Sequence, residues 1–319
     1  GGRAMADGQQ YKRTLSDVNP QLASEARLAL AEDCRVEHGI VYLEKQSQPR
    51  YTFLLPSEAR NKGSTPSKVL SSLLDRHVES TLDGIVEGVG ARYGSERSRL
   101  YPLCTRGEKH NCLLNAASLG LWGVQDRDLL LRCSVCDTLL SPIAGARLRR
   151  RWEEELRQVN EAEFGVELTA GQVESEWRDE LDRIRAPDVS LGAVHVMALA
   201  QVLRRPVVVF AEPFVRGSGG DALDPDRFAG IYLPLMWHHK ACVKAPLAMA
   251  FTFQSGDACG HFSALVGMEG APGEPPPRVS LMRQGEILPV RFVAESREEW
   301  GAADVQQLLA MYIDVVEDG

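Results

Sequence analysis

No apolar run among the 319 residues approaches the about 18 needed to cross a bilayer, so a membrane-spanning helix is not expected. Positive charge is not in excess either. The 36 Lys and Arg stand against 44 Asp and Glu, a formal net charge of -8. Phosphate contacts need clustered basic side chains, so nucleic acid is not an expected partner. A complete zinc pattern is missing. Cys133-Ser134-Val135-Cys136 has no second Cys-x-x-Cys and no nearby His pair, whereas a structural zinc takes about four ligands. The two thiols read as core packing on an apolar helix. Gly217-Ser218-Gly219-Gly220 is not followed by Lys-Ser/Thr, which excludes a phosphate loop and leaves a flexible connection. Internal repeats and long low-complexity segments are absent. The seven cysteines are an odd number and no secretory signal is evident, so free thiols in a reducing, cytoplasmic setting are expected.

What is present is an ordinary globular composition, 44% hydrophobic and 25% charged, long enough to bury a sizeable core. Gly1-Gly2-Arg3-Ala4-Met5 reads as a cloning remnant within a flexible terminus, residues 1–19. Pro20 opens a helix carrying Leu22, Ala26, Leu28 and Leu30. Residues 39–43 and 51–55 read as two strands flanking a turn at Gln46-Ser47-Gln48-Pro49. From Pro66, apolar residues from Val69 to Val86 recur at helical spacing and predict one helix. A second helical block covers 113–140, with a break at Gly120–Gly123 and Asp126 as candidate N-cap. Residues 147–185 mix both charge signs around Trp152 and Trp177 and predict a solvated helical subdomain. A helix over 195–203 follows. Strands are then expected at 207–211, 230–235, 247–253, 261–268 and 286–292. Helices first and strands later favour an α+β layered domain over a repeating βαβ fold.

Two residues carry chemistry. Cys112 follows the polar loop Gly107-Glu108-Lys109-His110-Asn111 and precedes Leu113-Leu114-Asn115-Ala116-Ala117. A cysteine in the first turn of a helix meets unpaired N–H groups and the positive end of the dipole, which favour thiolate over thiol. The same N–H groups can form an oxyanion hole. His261 sits between Gly256-Asp257-Ala258-Cys259-Gly260 and Phe262-Ser263-Ala264-Leu265-Val266, a junction where a strand can anchor a ring that faces a cleft. Sequence distance between the two is no obstacle, because such partners meet in space. Taken singly, each residue is also compatible with a purely structural role.

The stretch 103–132 around Cys112, with Val202-Leu203-Arg204-Arg205-Pro206-Val207-Val208-Val209, Gly230-Ile231-Tyr232-Leu233-Pro234-Leu235 and His261-Phe262-Ser263-Ala264-Leu265-Val266, resembles the OTU (ovarian tumour) deubiquitinases in their Cezanne/TRABID-like branch. The segments occur in the family's order and span residues 68–293. The resemblance implies an OTU cysteine-protease fold, α+β, with a central sheet packed between helices. It implies hydrolysis of isopeptide bonds between ubiquitin and lysine by a monomeric catalytic domain of residues 67–316, with 20–66 as an extension packed on it. Cys112 is then the nucleophile, His261 the base, and Glu108, Lys109, His110 and Asn111 the oxyanion loop. The family's Gly-Asp-Gly-Asn-Cys is altered here, with His110 in place of the glycine before Asn111. His110 itself reads as an exposed loop histidine.

The orienting acid stays open. The position two residues after His261 is Ser263, whose hydroxyl orients imidazole less well than a carboxylate. Asp75 fits one alignment of the helix upstream of the cysteine and Glu79 another, four residues along one helical face. Trp237 reads as exposed and, with His238, as substrate-binding. The His238-His239-Cys242 cluster falls in a loop between strands and is not expected to hold metal. No cofactor is implied, and the expected partner is ubiquitin or polyubiquitin acting on a monomer. Two alternatives remain: a catalytically impaired ubiquitin-binding scaffold, and an isopeptidase for another ubiquitin-like modifier.

Overall fold

The computed structural model describes residues 20–44, 52–61, 63–83, 99–105, 109–211, 215–216, 222–223, 225–253, 260–270, 277–293 and 302–314. Residues 1–19, Glu108, Cys259 and the glycine-rich 217–220 lie outside these. Helix α1 (Pro20–Glu32) leads into the hairpin β1 (Cys34–Glu37) and β2 (Ile40–Leu43). This hairpin corrects the sequence expectation. Residues 40–43 pair with 34–37 across His38 and Gly39, both at positive φ (50° and 77°), the backbone a tight two-residue hairpin turn requires. The strand expected over 51–55 is reduced to β3 (Leu54–Leu55), which pairs elsewhere.

The single helix expected from Pro66 is two, α2 (Thr65–Leu73) and α3 (Arg76–Leu82). Leu74 forms a β-bridge with Leu103, and the Asp75 N–H donates to the Pro102 carbonyl at 2.8 Å. The chain therefore leaves the helical path at 74–75 although its apolar spacing continues. Strand β4 (Tyr101–Leu103) precedes α4 (Cys112–Trp122), α5 (Leu130–Leu140), α6 (Ala144–Phe164), α7 (Ala170–Arg185) and α8 (Ala193–Leu203). Next come β5 (Val207–Ala211), β6 (Gly230–Tyr232), β7 (Leu247–Phe253), β8 (Gly260–Met268) and β9 (Val290–Arg291), with α9 (Ala302–Tyr312) last.

The central sheet runs β9-β6-β5-β7-β8-β3, with β4 also on β8. It mixes parallel pairs, such as β5 with β7, and antiparallel ones, such as β7 with β8. Strand β5 is buried along its whole length, as a strand covered on both faces should be. Because β3 is a strand of this sheet, Leu54 and Leu55 lie in the same layer as the strands that follow. Trp152 and Trp177 of α6 and α7 are buried with ring centroids 5.2 Å apart. The helical pair thus has an aromatic core beneath its charged outer face.

Helix α4 is apolar on all sides and buried from Cys112 to Leu121. Gly120 allows its approach to the sheet, since a Cβ there would come within 2.8 Å of Leu247 Cδ1 and 3.6 Å of Ala264 Cβ. Gly123 ends the helix in the left-handed region (φ 69°), the conformation glycine adopts without strain.

Candidate active site

Cys112 is the first residue of α4, delivered by a 3-10 turn at Lys109–Asn111, and is 6% exposed. The helix receives no side-chain cap from Asn111. That side chain is engaged elsewhere. Its Nδ2 donates to the Asp126 carbonyl at 3.4 Å and to Asn115 Oδ1 at 3.5 Å. Its Oδ1 accepts from Arg132 Nη1 at 3.3 Å. Asn111 therefore braces the turn, and its amide side chain is not aimed at a substrate. His110 is half-buried, with Nδ1 3.2 Å from Ser190 Oγ, which overturns the exposed reading. The N-cap position of α5 is Leu129 and not Asp126, but the Asp126 carboxylate reaches the helix start from three residues upstream, accepting from the Leu130 and Leu131 N–H groups at 2.8 and 3.0 Å. Burial pushes its carboxyl up to about 6 despite these hydrogen bonds.

His261 is the second residue of β8, half-buried, opposite Thr252 of β7. Its Nε2 lies 2.6 Å from Thr105 Oγ1, and the Thr105 hydroxyl donates to the Phe262 carbonyl at 3.2 Å. A hydroxyl has one proton. With that proton on the Phe262 carbonyl, Thr105 accepts from Nε2–H, and the neutral ring is the Nε2–H tautomer with a basic Nδ1. Thr105 has no signature in the sequence. It is placed only by the register of β4 against β8, Leu103 opposite Ala264.

Ser263 shares a face of β8 with His261 by strand alternation. It is fully buried, and its Oγ donates to Asp75 Oδ2 at 3.3 Å. Asp75 is itself 1% exposed and is the N-cap of α3, accepting from Val78 N–H at 3.3 Å. Asp75 and Glu79 therefore do not share a helical face, because Asp75 precedes the helix. Glu79 turns to Arg76 (2.6 Å) and Arg99 (2.7 Å), one oxygen to each. The structure brings Asp75 to the histidine's strand and commits Glu79 to two guanidinium groups.

Two further expectations are corrected. Trp237 is not exposed. It is 7% accessible, donates from Nε1 to the Gln201 carbonyl at 2.9 Å, and lies under the Arg204 guanidinium, whose Cζ is 4.1 Å from the ring centroid. This is a core anchor at the end of α8. His238 is exposed and caps the adjoining 3-10 turn His239–Ala241, its Nδ1 accepting from the Lys240 N–H at 3.3 Å. Cys133 is exposed and Cys136 half-buried, so the pair is not packed as a unit in the core. Among the described residues, His, Cys, Asp and Glu form no cluster fit for a metal, and no helix is long and apolar enough to cross a membrane.

A cysteine heading a buried helix against a mixed sheet, with a histidine on that sheet, defines a cysteine protease of the OTU-like class. The OTU-like cysteine protease family matches residues 109–254, a span that includes Cys112 and stops short of His261. The chain belongs to this family. It is 31% identical over 338 aligned positions to the ubiquitin thioesterase trabid of Drosophila melanogaster, an alignment that takes in 98% of this chain and 40% of that protein. The chain thus spans about two fifths of the length of this relative.

Proposed function

We propose that the chain hydrolyses isopeptide bonds between the ubiquitin C-terminal glycine and lysine, in polyubiquitin, as a cytoplasmic monomer, with Cys112 as nucleophile and His261 as base. The observation that carries this reading is the placement of Cys112 at the start of α4, a helix that runs with β8. A Cβ built on Gly120 would lie 3.6 Å from Ala264 Cβ, and the end of α4 meets Phe53, which precedes the partner of Gly267. Back along both elements, Cys112 lies ~12 Å from Gly120 and His261 ~10 Å from Ala264.

In this mechanism Nδ1 of His261 takes the Cys112 proton while Thr105 holds Nε2–H. The thiolate, favoured by the helix N-terminus, attacks the glycine carbonyl. Backbone N–H groups of the Lys109–Asn111 turn and of Cys112 receive the oxyanion. His261 then protonates the departing lysine amine. Water, deprotonated by His261, cleaves the thioester and restores the thiol. Asp75 stabilises the imidazolium through the Ser263 side of β8. The acyl group and protons are handled by side chains and water, so the reaction as written calls for no cofactor.

Ubiquitin bearing an electrophilic C-terminal tail tests the reading. A covalent adduct at Cys112 is expected. Binding without an adduct would establish a scaffold, and adduct formation only with another ubiquitin-like protein would change the modifier.

Thr105 gives a sharper expectation. Thr105→Val removes the acceptor at nearly constant volume and should lower kcat about 10–100-fold with KM near wild type, because the lost contact matters most when the ring is charged. Thr105→Ser should recover most of the rate. Steady-state kinetics on one ubiquitin amide substrate decide it, and wild-type kcat in Thr105→Val would remove Thr105 from the site.

The acid is tested by Asp75→Asn, which keeps the helix cap but removes the charge. We expect kcat to fall about 10-fold or more while KM holds, consistent with an interaction that strengthens as charge develops. Glu79→Ala should change kcat by less than about 3-fold, since its two carboxylate oxygens are committed to Arg76 and Arg99. The opposite ranking would return the role to Glu79.

A further inference from the structure

We propose that Arg132 is the positioning residue of the oxyanion turn, tying the direction of the Asn111 N–H to the end of helix α7. The inference rests on the mechanism above. Arg132 lies on α5 and is 3% exposed. Its Nε donates to the Ile184 carbonyl at 3.0 Å. Its Nη2 donates to the carbonyls of Arg183 (2.7 Å), Ala186 (2.5 Å) and Val189 (3.1 Å). These oxygens belong to the last turn of α7 and the connection after it, where the negative end of a helix dipole favours a cation. The remaining nitrogen, Nη1, reaches the other way, to the His110 carbonyl at 3.4 Å and Asn111 Oδ1 at 3.3 Å.

The His110 contact has a geometric consequence. In a planar trans peptide the C=O and N–H point in opposite directions. Holding the His110 carbonyl toward Arg132 therefore aims the Asn111 N–H away from it. That N–H belongs to the residue immediately before Cys112, within the turn assigned to the oxyanion. The family-like glycine is absent at this point, and the turn contains His110 in its place. His110 stays out of the positive-φ region and lacks the conformational freedom of glycine, so the contacts that fix the peptide's direction come from outside the turn. Arg132 supplies one, and the His110–Ser190 contact (3.2 Å) supplies a second from the same α7–α8 connection. Only an arginine can serve both sides at once, since its planar fork carries five N–H donors and lysine has a single nitrogen.

The test compares wild type, Arg132→Lys, Arg132→Met and Ser190→Ala on ubiquitin carrying a C-terminal aminocoumarin amide. In parallel, the rate of Cys112 alkylation by iodoacetamide is followed by the mass of its peptide. Alkylation needs the thiolate but no oxyanion hole. We expect both Arg132 variants to lose about 30-fold or more in kcat, as misplacement of a reacting group by a distant change can cost about 100-fold. KM should stay within about 3-fold and Cys112 alkylation within about 2-fold of wild type. Ser190→Ala should lower kcat in the same sense with a smaller loss. Arg132→Lys keeps the charge at the helix end, so it reports on the fork even if Arg132→Met does not fold. Wild-type kcat in Arg132→Lys overturns the proposal, and so does an alkylation rate that falls in proportion to kcat. Activity of the wild type together with its loss in Cys112→Ala establishes the mechanism independently, so failure of the Arg132 arm is separable from failure of the mechanism.

Discussion

Cys112→Ala is expected to reduce cleavage of a ubiquitin–lysine isopeptide by on the order of 10⁴-fold or more. The loss should appear in kcat, because the sulfur makes its decisive bond only during the reaction. No neighbouring group can replace it. Asn111 is bound to Asp126, Asn115 and Arg132, and Asn115 is one turn further along the helix. The fold should survive the change. Alanine is the best helix former, and the first position of α4 loses one buried sulfur. A thermal melt within a few degrees of wild type, about the shift expected for ~1 kcal/mol, would show that chemistry and not structure was removed. Cys133→Ser is the matched control, an exposed thiol whose loss should leave turnover unchanged. Retained wild-type turnover in Cys112→Ala would remove it as nucleophile.

The second large effect is that of His261→Ala. Loss of a base that also protonates the leaving group typically costs about 10³–10⁴-fold or more near neutral pH. Unlike the Arg132 variants, this one should also slow alkylation of Cys112, because the proton acceptor and the positive partner of the thiolate are both removed. The residual rate should climb as pH rises through the ordinary cysteine range, about 8.5, where solvent ionises the thiol without help. Kinetics and alkylation across pH 6–10 measure this directly. Unchanged rates, or a residual rate with no rise at alkaline pH, would break the Cys–His pairing.

Much of this molecule could be read along the chain because the signals are local. The start of α4 is such a case. A polar loop, a cysteine and a continuous apolar run place the thiol in the first turn whatever the helix packs against. The uninterrupted apolar run Val207–Ala211 likewise announced a strand buried on both faces, and Asp126 was recognisable as an acceptor for the next helix start from its position before an apolar segment. Asp75 shows where such reading stops. Leu73, Leu74 and Val78 keep helical spacing, so the pattern runs straight through the point where the chain breaks. The break comes from Leu74 and Asp75 pairing with β4, a contact that no periodicity contains.

The sequence by itself determined the α+β class, the helix that Cys112 heads and the strand that carries His261. Each depends on a few consecutive residues whose preferences agree. Only the tertiary structure decided which groups surround them. Thr105 is 156 residues from His261, Ser263 is 188 from Asp75, and Arg132 reaches 52 residues to Ile184. Trp237, polar at one edge and apolar over its face, fits a surface cleft or a core equally well until Gln201, Arg204 and Tyr42 enclose it. Hydrogen-bond partners of buried polar groups are fixed by sheet register and helix packing, which bring distant residues within hydrogen-bonding distance only after the core has formed.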